Sequence, residues 1–587
     1  MNRKPERIMI PWRKRLSLRF PLALLLCLAM LLPACSGSDS YNQVYAPAQE
    51  TLDNIAAALW MKVYDPAAVP AGIMERLKSP TNSDQAFGQR MSWYLLSLLE
   101  EPDSFTPDYS ELYGVYLAHT GNLTPHQAYA MANNLGMDSS RGFQEIPPEI
   151  TFSFPEDDRP QVEYQAGWHF YVGSVFGAGG EEFGVQLMFW RQSLLPPDMA
   201  RSLGLSDMEN QILEIHFAVT PAGGTHYRAR PITLAGTTGL VTFSPSPYNY
   251  TAGKNYMRSL TAGALFPLEL RAWGEDRTGA NPVEMEIKIV LDLAPGKGYV
   301  LNGDEGLAPS CGGIGTLYYS VTNLPVRPGV SWVKLNGQQV NLVGGKMWYD
   351  HQWATGFMPA GNTRSEVLRA AKNLEPKKPD GWDWMAIMFD DDTEIGLSAL
   401  HVAENSHFYM NTGPNPPGTM VAPAHGVYVD ANGSYYPITG TVSVPEWVKS
   451  TKTYGEFAAS GTWYPNRADV TLDPSPNLPA DKRVFSMIPI VATGQAGFFS
   501  AGYEYSEGAV YIEQNGVRTG RGFLEAPGYA DGWRQSLRIA GLPDTDAMVN
   551  LINRSFTPSP ELILESQLFV AGHTRELEAE MAACRGL

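Results

Sequence analysis

Three things are scarce in this chain: cysteine, positive charge and long apolar runs. It has four Cys in 587 residues. Cys27 lies in an apparent N-terminal leader and Cys35 at its end reads as a lipid site, so only Cys311 and Cys584 remain as free thiols. Two thiols cannot complete a four-thiolate zinc site, and whether they pair as a disulfide depends on a proximity that sequence does not give. Lys and Arg number 43 against 61 Asp and Glu, a formal net charge of −18. Beyond the leader no basic cluster interrupts this acidic balance, which argues against nucleic acid as a partner. No phosphate-binding loop, dinucleotide fingerprint or Gly-x-Ser-x-Gly elbow occurs in a suitable context, and no histidine pair has a metal-ligand spacing. The expectation is a protein without metal or redox cofactor.

The one strongly apolar run is short. Arg3, Lys4, Arg7, Arg13, Lys14, Arg15 and Arg19 precede an apolar stretch over 20–32, too short to span a bilayer comfortably. It ends in Leu32-Pro33-Ala34-Cys35 with Ser36-Gly37-Ser38 following, the pattern of a bacterial lipoprotein signal. Cleavage before Cys35 and lipidation on it would give an exported protein held at the envelope membrane, on the outer-membrane side because Ser36 follows the Cys. Loss of 1–34 removes seven basic residues and one acidic residue, Glu6, so the mature chain would be more acidic still.

What is abundant is turn chemistry. Gly 56 and Pro 45 make up roughly 17% of the chain against a usual ~12%, and with many aromatic residues they favour a β-rich body. Residues 35–150 read as a tether and helical segment, in which Leu52, Ile55, Leu59 and Val63 repeat at helical spacing and Thr124-Pro125 starts a second helix. From about 162 the period changes to two. Phe183, Val185, Leu187 and Phe189 share one strand face; Met285, Ile287, Ile289, Leu291 and Leu293 share another. Asn336-Gly337 and Asn515-Gly516 mark tight hairpins, and Gly177-Ala178-Gly179-Gly180 reads as a hairpin loop. Many strands without interleaved helices predict antiparallel barrels or sandwiches. The length predicts two domains, over 160–340 and 341–541, with a C-terminal helical tail at 542–587.

The richest stretch chemically is Met347-Trp348-Tyr349-Asp350-His351-Gln352-Trp353. A carboxyl and an imidazole framed by large rings suit proton handling in an apolar pocket, since burial raises the first group's pKa and lowers the second's. Tyr349, Tyr318 and Tyr319 are candidate hydrogen-bond partners. The competing reading is a hydrogen-bonded strand end with no chemistry. Trp382-Asp383-Trp384 opens a strand whose Trp384, Ala386 and Met388 line either a ligand site or a core. Asp390-Asp391-Asp392 with Glu394 reads as a cation loop or, more simply, a solvated turn. The strand histidines His169 and His216 read as core or rim residues.

Several segments, taken in order, resemble one family. Gly167-Trp168-His169-Phe170-Tyr171, Phe183-Gly184-Val185-Gln186 and His216-Phe217-Ala218 are similar to the first half of the AttH-like/carotenoid 1,2-hydratase family. Tyr318-Tyr319-Ser320, the stretch from Met347 to Trp353 and Gly381-Trp382-Asp383-Trp384 are similar to its middle. Tyr505-Ser506-Glu507-Gly508 and Gly520-Arg521-Gly522-Phe523 are similar to its end. The resemblance implies two consecutive lipocalin-like antiparallel β-barrels and a hydrophobic, isoprenoid-like or lipidic small molecule as partner. In the hydratases an aspartate protonates an isolated double bond and water captures the cation. Carried over, the proton donor is Asp350, with His351 and Tyr349 beside it and Trp348, Trp353, Tyr318, Tyr319, Trp384 and Trp168 around the ligand. Acid-assisted hydration, isomerisation or cyclisation is the implied chemistry; a non-catalytic lipid carrier or an envelope interaction protein is the alternative. The first motif departs from the family pattern, with Ala166-Gly167-Trp168-His169 where a Glu and paired aromatics are usual.

Overall fold

The computed structural model describes residues between 143 and 529, with breaks of which the longest are 356–380, 402–412 and 452–460. The leader, Cys35, the helical segment before 143, Cys311, Cys584 and the tail at 542–587 lie outside the described residues.

The first module is one sheet of fifteen strands. It comprises β1 (Ala166–Gly177), β2 (Glu182–Ser193), β3 (Gln211–Pro221), β4 (Tyr227–Arg228), β5 (Ile232–Ala235), β6 (Val241–Pro245), β7 (Tyr248–Ala252), β8 (Asn255–Ser259), β9 (Leu268–Asp276), β10 (Val283–Leu291), β11 (Tyr299–Leu301), β12 (Leu307–Ala308), β13 (Thr316–Pro325), β14 (Trp332–Leu335) and β15 (Gln338–Ala354). The second contains β16 (Gly381–Phe389), β17 (Glu394–His401), β18 (Met420–Val429), β19 (Tyr435–Lys449), β20 (Trp463–Leu472), β21 (Val484–Pro489), β22 (Ala496–Phe499), β23 (Tyr503–Gln514) and β24 (Val517–Ala526).

Only the second module closes. Its strands run β21-β20-β19-β18-β17-β16-β24-β23, and β21 pairs back onto β23. Its interior is filled by Met385, Ile387, Phe389, Leu397, Val442 and their neighbours, so closure leaves no bare edge among these strands. The first sheet runs β4-β3-β2-β1-β15-β14-β10-β9-β8-β7-β6 and its two ends never pair. It is a curled half-barrel. The expectation of two closed lipocalin-like barrels is corrected accordingly. So is the flanking-helix picture where it can be seen: the longest helix among the described residues is Pro197–Ser202, six residues. Residue 341, expected to begin the second domain, lies inside β15, which hydrogen-bonds with β1, β13 and β14 of the first sheet.

Local signals were otherwise faithful. Asn336 and Gly337 turn β14 into β15, and Asn515 and Gly516 turn β23 into β24, all four with positive φ (47°, 80°, 51° and 76°) as a two-residue hairpin requires. The face of Met285, Ile287, Ile289 and Leu291 is buried, while Leu293 lies beyond the strand and is exposed. The acidic run is a hairpin turn between β16 and β17 whose carboxylates meet lysines: Asp391 contacts Lys482 and Asp392 contacts Lys346, each at 2.6 Å.

The modules are joined back to back. The outer face of β16 (Trp384, Ala386, Met388) packs on Trp168, Phe170, Val172 and Trp348 of the first sheet. The approach is close: a Cβ on Gly184 would lie 2.4 Å from that of Ala509, and one on Gly396 would meet the Trp348 ring at 3.1 Å. Ion pairs ring the apolar contact, with Lys297 on Glu394 at 2.7 Å and Arg521 on Glu182 at 2.6 Å. The first is buried on both sides, and Lys297 also donates to the Asp430 carbonyl.

Candidate functional site

Successive side chains of a strand point to opposite faces, and this decides the geometry of the Asp350–His351 pair. In β15 the even residues Trp348 and Asp350 face the barrel. The odd residues Met347, Tyr349, His351 and Trp353 face the hollow of the curled sheet. Asp350 and His351 are covalent neighbours in two different environments.

Asp350 is buried where the modules meet. Its Oδ2 accepts from the Tyr318 hydroxyl at 2.7 Å. Its Oδ1 accepts from Trp348 Nε1 at 2.6 Å and from the Ser320 hydroxyl. Tyr318 accepts in turn from Trp384 Nε1 of the barrel at 2.9 Å, and Asn302 donates to Ser320 at 2.7 Å. Tyr318 and Ser320 stand beside Gln352 and Asp350 in the β13–β15 register, which is why a Tyr-x-Ser and a Trp-x-Asp pattern meet here. Burial pushes the Asp350 carboxyl up to about 7 against the pull of its three donors. Across the interface Glu525, the β24 partner of Trp384, is raised to about 8 by burial and by the nearby Asp350. Glu507 is its cross-strand neighbour and is also raised by burial. Trp168, stacked on Trp190 at 4.9 Å, Phe170 and Trp384 complete an aromatic wall.

In the hollow, His351 stacks on His169 at 3.9 Å, its register partner on β1. A hydrogen-bonded series runs through it. Tyr299 and Tyr319 donate to Asp158 at 2.8 and 2.6 Å. His351 Nδ1 lies 3.2 Å from the Tyr319 hydroxyl, and Tyr349 lies 2.8 Å from His169 Nδ1. Trp353 packs on His351 at 4.6 Å. Burial lowers both imidazoles, His169 to about 3 and His351 well below its ordinary value, while Asp158 is raised by burial to about 7. Arg191 lies deep beside this group, donating to the carbonyls of Gln161 and Tyr164 and to Ser193 and Gln211. It thereby ties the N-terminal segment 161–165 across the sheet.

The expected site residues therefore divide. Asp350, Trp348, Tyr318, Trp384 and Trp168 come together between the modules; His351, Tyr349, Tyr319 and Trp353 come together in the hollow. Ser320, Glu525, Glu507, Asp158, Arg191 and Tyr250 were not singled out from sequence. Ser320 was legible, as it stands two residues from Tyr318 on the same face; Asp158 lies in an irregular segment that carries no pattern. Among the described residues no group of three or more His, Cys, Asp or Glu is arranged to hold a metal ion.

Two polar atoms of the hollow have no hydrogen-bond partner among the described residues: His169 Nε2 and the Tyr250 hydroxyl, both on buried residues. An unpaired buried hydroxyl costs about 1–3 kcal/mol. Tyr250→Phe is accordingly expected to stabilise the purified protein by about 1 kcal/mol in urea unfolding; a loss of stability would show that the hydroxyl is paired.

Fold and site together define a two-module antiparallel β protein with a protonatable carboxyl buried in an aromatic wall between the modules. A family model described as AttH-like matches residues 145–529. The chain belongs to the AttH-like family. Among solved structures it is similar to an AttH protein from Nitrosomonas europaea, with 18% identity and a TM-score of 0.47 over 66% of this chain and 100% of that one. It is also similar to kievitone hydratase from Nectria haematococca, with 11% identity and a TM-score of 0.41 over 66% and 96%. No curated protein matches.

Proposed function

We propose that this protein binds a hydrophobic small molecule against the aromatic wall between its modules and protonates a double bond in it through Asp350. The observation that carries this is a buried carboxyl with three donors, no hydrogen-bonded cation among the described residues and a pKa pushed up to about 7. Such an acid still holds a proton near neutral pH, and an apolar surround withholds the water that would otherwise level it. Transfer of that proton to an alkene leaves a carbocation and the Asp350 carboxylate. Trp348 and Trp384, whose indole N–H groups reach Asp350 and Tyr318, supply aromatic surroundings for the cation. Capture by water gives hydration, loss of a different proton gives isomerisation, and attack by a second double bond gives cyclisation. In each case the carboxylate regains its proton from water or from the carbon that loses one. The leader ending at Cys35 supports placement on a bacterial envelope membrane, where such molecules partition.

A second reading rests on a specific observation: both Asp350 oxygens are already engaged by donors, and one of these, Tyr318, also bonds Trp384 across the junction of the modules. On that reading the protein is a non-catalytic carrier. Native mass spectrometry of the full-length protein, released gently from membranes, is expected to show a retained apolar molecule of defined mass. A protein that emerges empty, and stays empty after incubation with an isoprenoid alkene such as squalene, removes both readings.

A further inference from the structure

We propose that Glu525 is the proton relay of the Asp350 site, taking protons from solvent at the open end of the module junction and handing them to Asp350. The inference rests on the reading of Asp350 as a proton donor. A donor that is only 1% exposed and gives its proton to an alkene must recover one before it can act again. Its own hydrogen bonds do not supply it. Trp348, Tyr318 and Ser320 are buried with it. Behind Tyr318 and Ser320 stand the Trp384 indole and the Asn302 amide, which donate hydrogen bonds but do not give up their hydrogens near neutral pH.

Strand register shows which end of the junction is closed. Alternate residues of β2, β13 and β15 face the barrel, and toward one end they run into ionic contacts. Lys346 on β15 meets Asp392 at 2.6 Å, and Glu182 on β2 meets Arg521 of β24 at 2.6 Å. Thr322 on β13 and the nearby Lys297 both reach Glu394, at 3.2 and 2.7 Å. Toward the other end the same faces pass Trp348 and Asp350 to Gln352, and Gln186 and Met188 to Trp190. There Gln352, Trp190, Trp382 and Glu525 are each partly exposed. Glu525 is the titratable member of these four.

Glu525 is also joined to the buried site. It lies opposite Trp384, whose indole bonds Tyr318, and its carboxyl feels the charge of Asp350. The Trp382 indole donates to it. On its other side it lies opposite Glu507, which is fully buried and accepts from Gln186 Nε2. Like charges directly opposite on neighbouring strands repel. One cation, Arg228, acts on the pair, and it lies over the Tyr505 ring at 4.4 Å. Tyr505 leads on to His216 and Glu214, at 3.1 and 3.4 Å, with the imidazole held neutral by burial. Two carboxyls against one cation retain a proton near neutral pH, and Glu525 is the member of the pair that meets water. Its pKa of about 8 is close to the value of about 7 at Asp350, so a proton passes between them with little bias. In that step the O–H bond of Glu525 breaks as that of Asp350 forms, and Glu525 recovers its proton from water.

Hydrogen–deuterium exchange followed by infrared spectroscopy of the full-length protein tests this without needing a substrate. The protein is moved into heavy water on the acid side of pH 7, where Asp350 keeps its proton. A protonated carboxyl absorbs apart from a carboxylate, and its band shifts when deuterium replaces hydrogen. The band missing from Asp350→Asn belongs to Asp350. Glu525→Gln is expected to slow the shift of that band about 10²-fold, the lower end of what a positioned proton-transferring side chain contributes. Glu525→Asp, which keeps a carboxyl, is expected to restore most of the parent rate. Unchanged or faster exchange in Glu525→Gln, or a Glu525→Asp protein as slow as Glu525→Gln, overturns the relay and leaves Asp350 a donor. If Asp350→Asn removes no band, Asp350 is ionised in the fold, and the donor reading falls together with the relay.

Discussion

Replacing Asp350 by asparagine is expected to lower turnover of the bound alkene by about 10²–10⁴-fold, the usual contribution of a positioned general acid, with the fold retained. Asparagine has nearly the same shape, and its carbonyl oxygen can accept from Trp348 Nε1 and Ser320 as Oδ1 does now. Its amide then faces Tyr318, which accepts it but loses the acceptor for its own proton. One unmade hydrogen bond costs about 1 kcal/mol, too little to unfold a protein of this size, so a thermal melt run beside the kinetics separates chemistry from structure. The pH profile is a second check. The donor is the protonated carboxyl, so the rate should fall as pH rises through about 7. Full turnover in a folded Asp350→Asn protein would remove Asp350 as the proton donor, whereas a parent protein that retains an alkene and never converts it would leave the carrier reading standing.

The alternation of β2 and β10, the two Asn-Gly hairpins and the aromatic setting of Asp350 were legible from residues alone, because each depends on neighbours in the chain. Closure was not. One module closes because β21 reaches β23, a pairing of distant segments, and the other stays open because nothing pairs β4 with β6. No local signal distinguishes a strand that will close a ring from one that will end a sheet. The pairing of Asp350 with His351 misled for the opposite reason: nearness in sequence suggests a joint site, whereas strand geometry sends the two side chains apart. The true neighbour of His351 is His169, some 180 residues away in the chain, and only the β1–β15 register brings them together. Asp158 and Tyr250 reach the hollow from a short turn and a five-residue strand, both too brief to announce a face.

The share of stability contributed by Asp158, Asp350 and Asp383 is expected to decline as pH rises from about 4 to about 7. The buried His169 and His351, whose pKa burial lowers, act in the opposite direction over the same range. Asp158, Asp350 and Asp383 each carry a carboxyl raised to about 7, burial being the largest cause in every case, and none of them is ion-paired among the described residues. In the unfolded chain the same groups titrate near 3.8. Below that value both states bind the proton and the folded state has its full advantage. Between the two values the folded protein holds protons that the unfolded chain has lost, so each pH unit gained destabilises by about 1.4 kcal/mol per group. The loss levels off once the folded carboxyls ionise above about 7. The large net negative charge acts in the same direction. Asp383 isolates one share of the effect, because among the described residues its carboxyl accepts only from the Tyr529 hydroxyl, at 3.0 and 3.1 Å. Asp383→Asn cannot ionise, so its urea midpoint should match the parent near pH 4 and exceed it at pH 8. An Asp383→Asn protein that tracks the parent at both ends would mean that the Asp383 carboxyl is ionised in the fold, and that burial opposed by a single donor group does not keep a proton there. Asp350, opposed by three donors, would then have still less hold on the proton it is proposed to give.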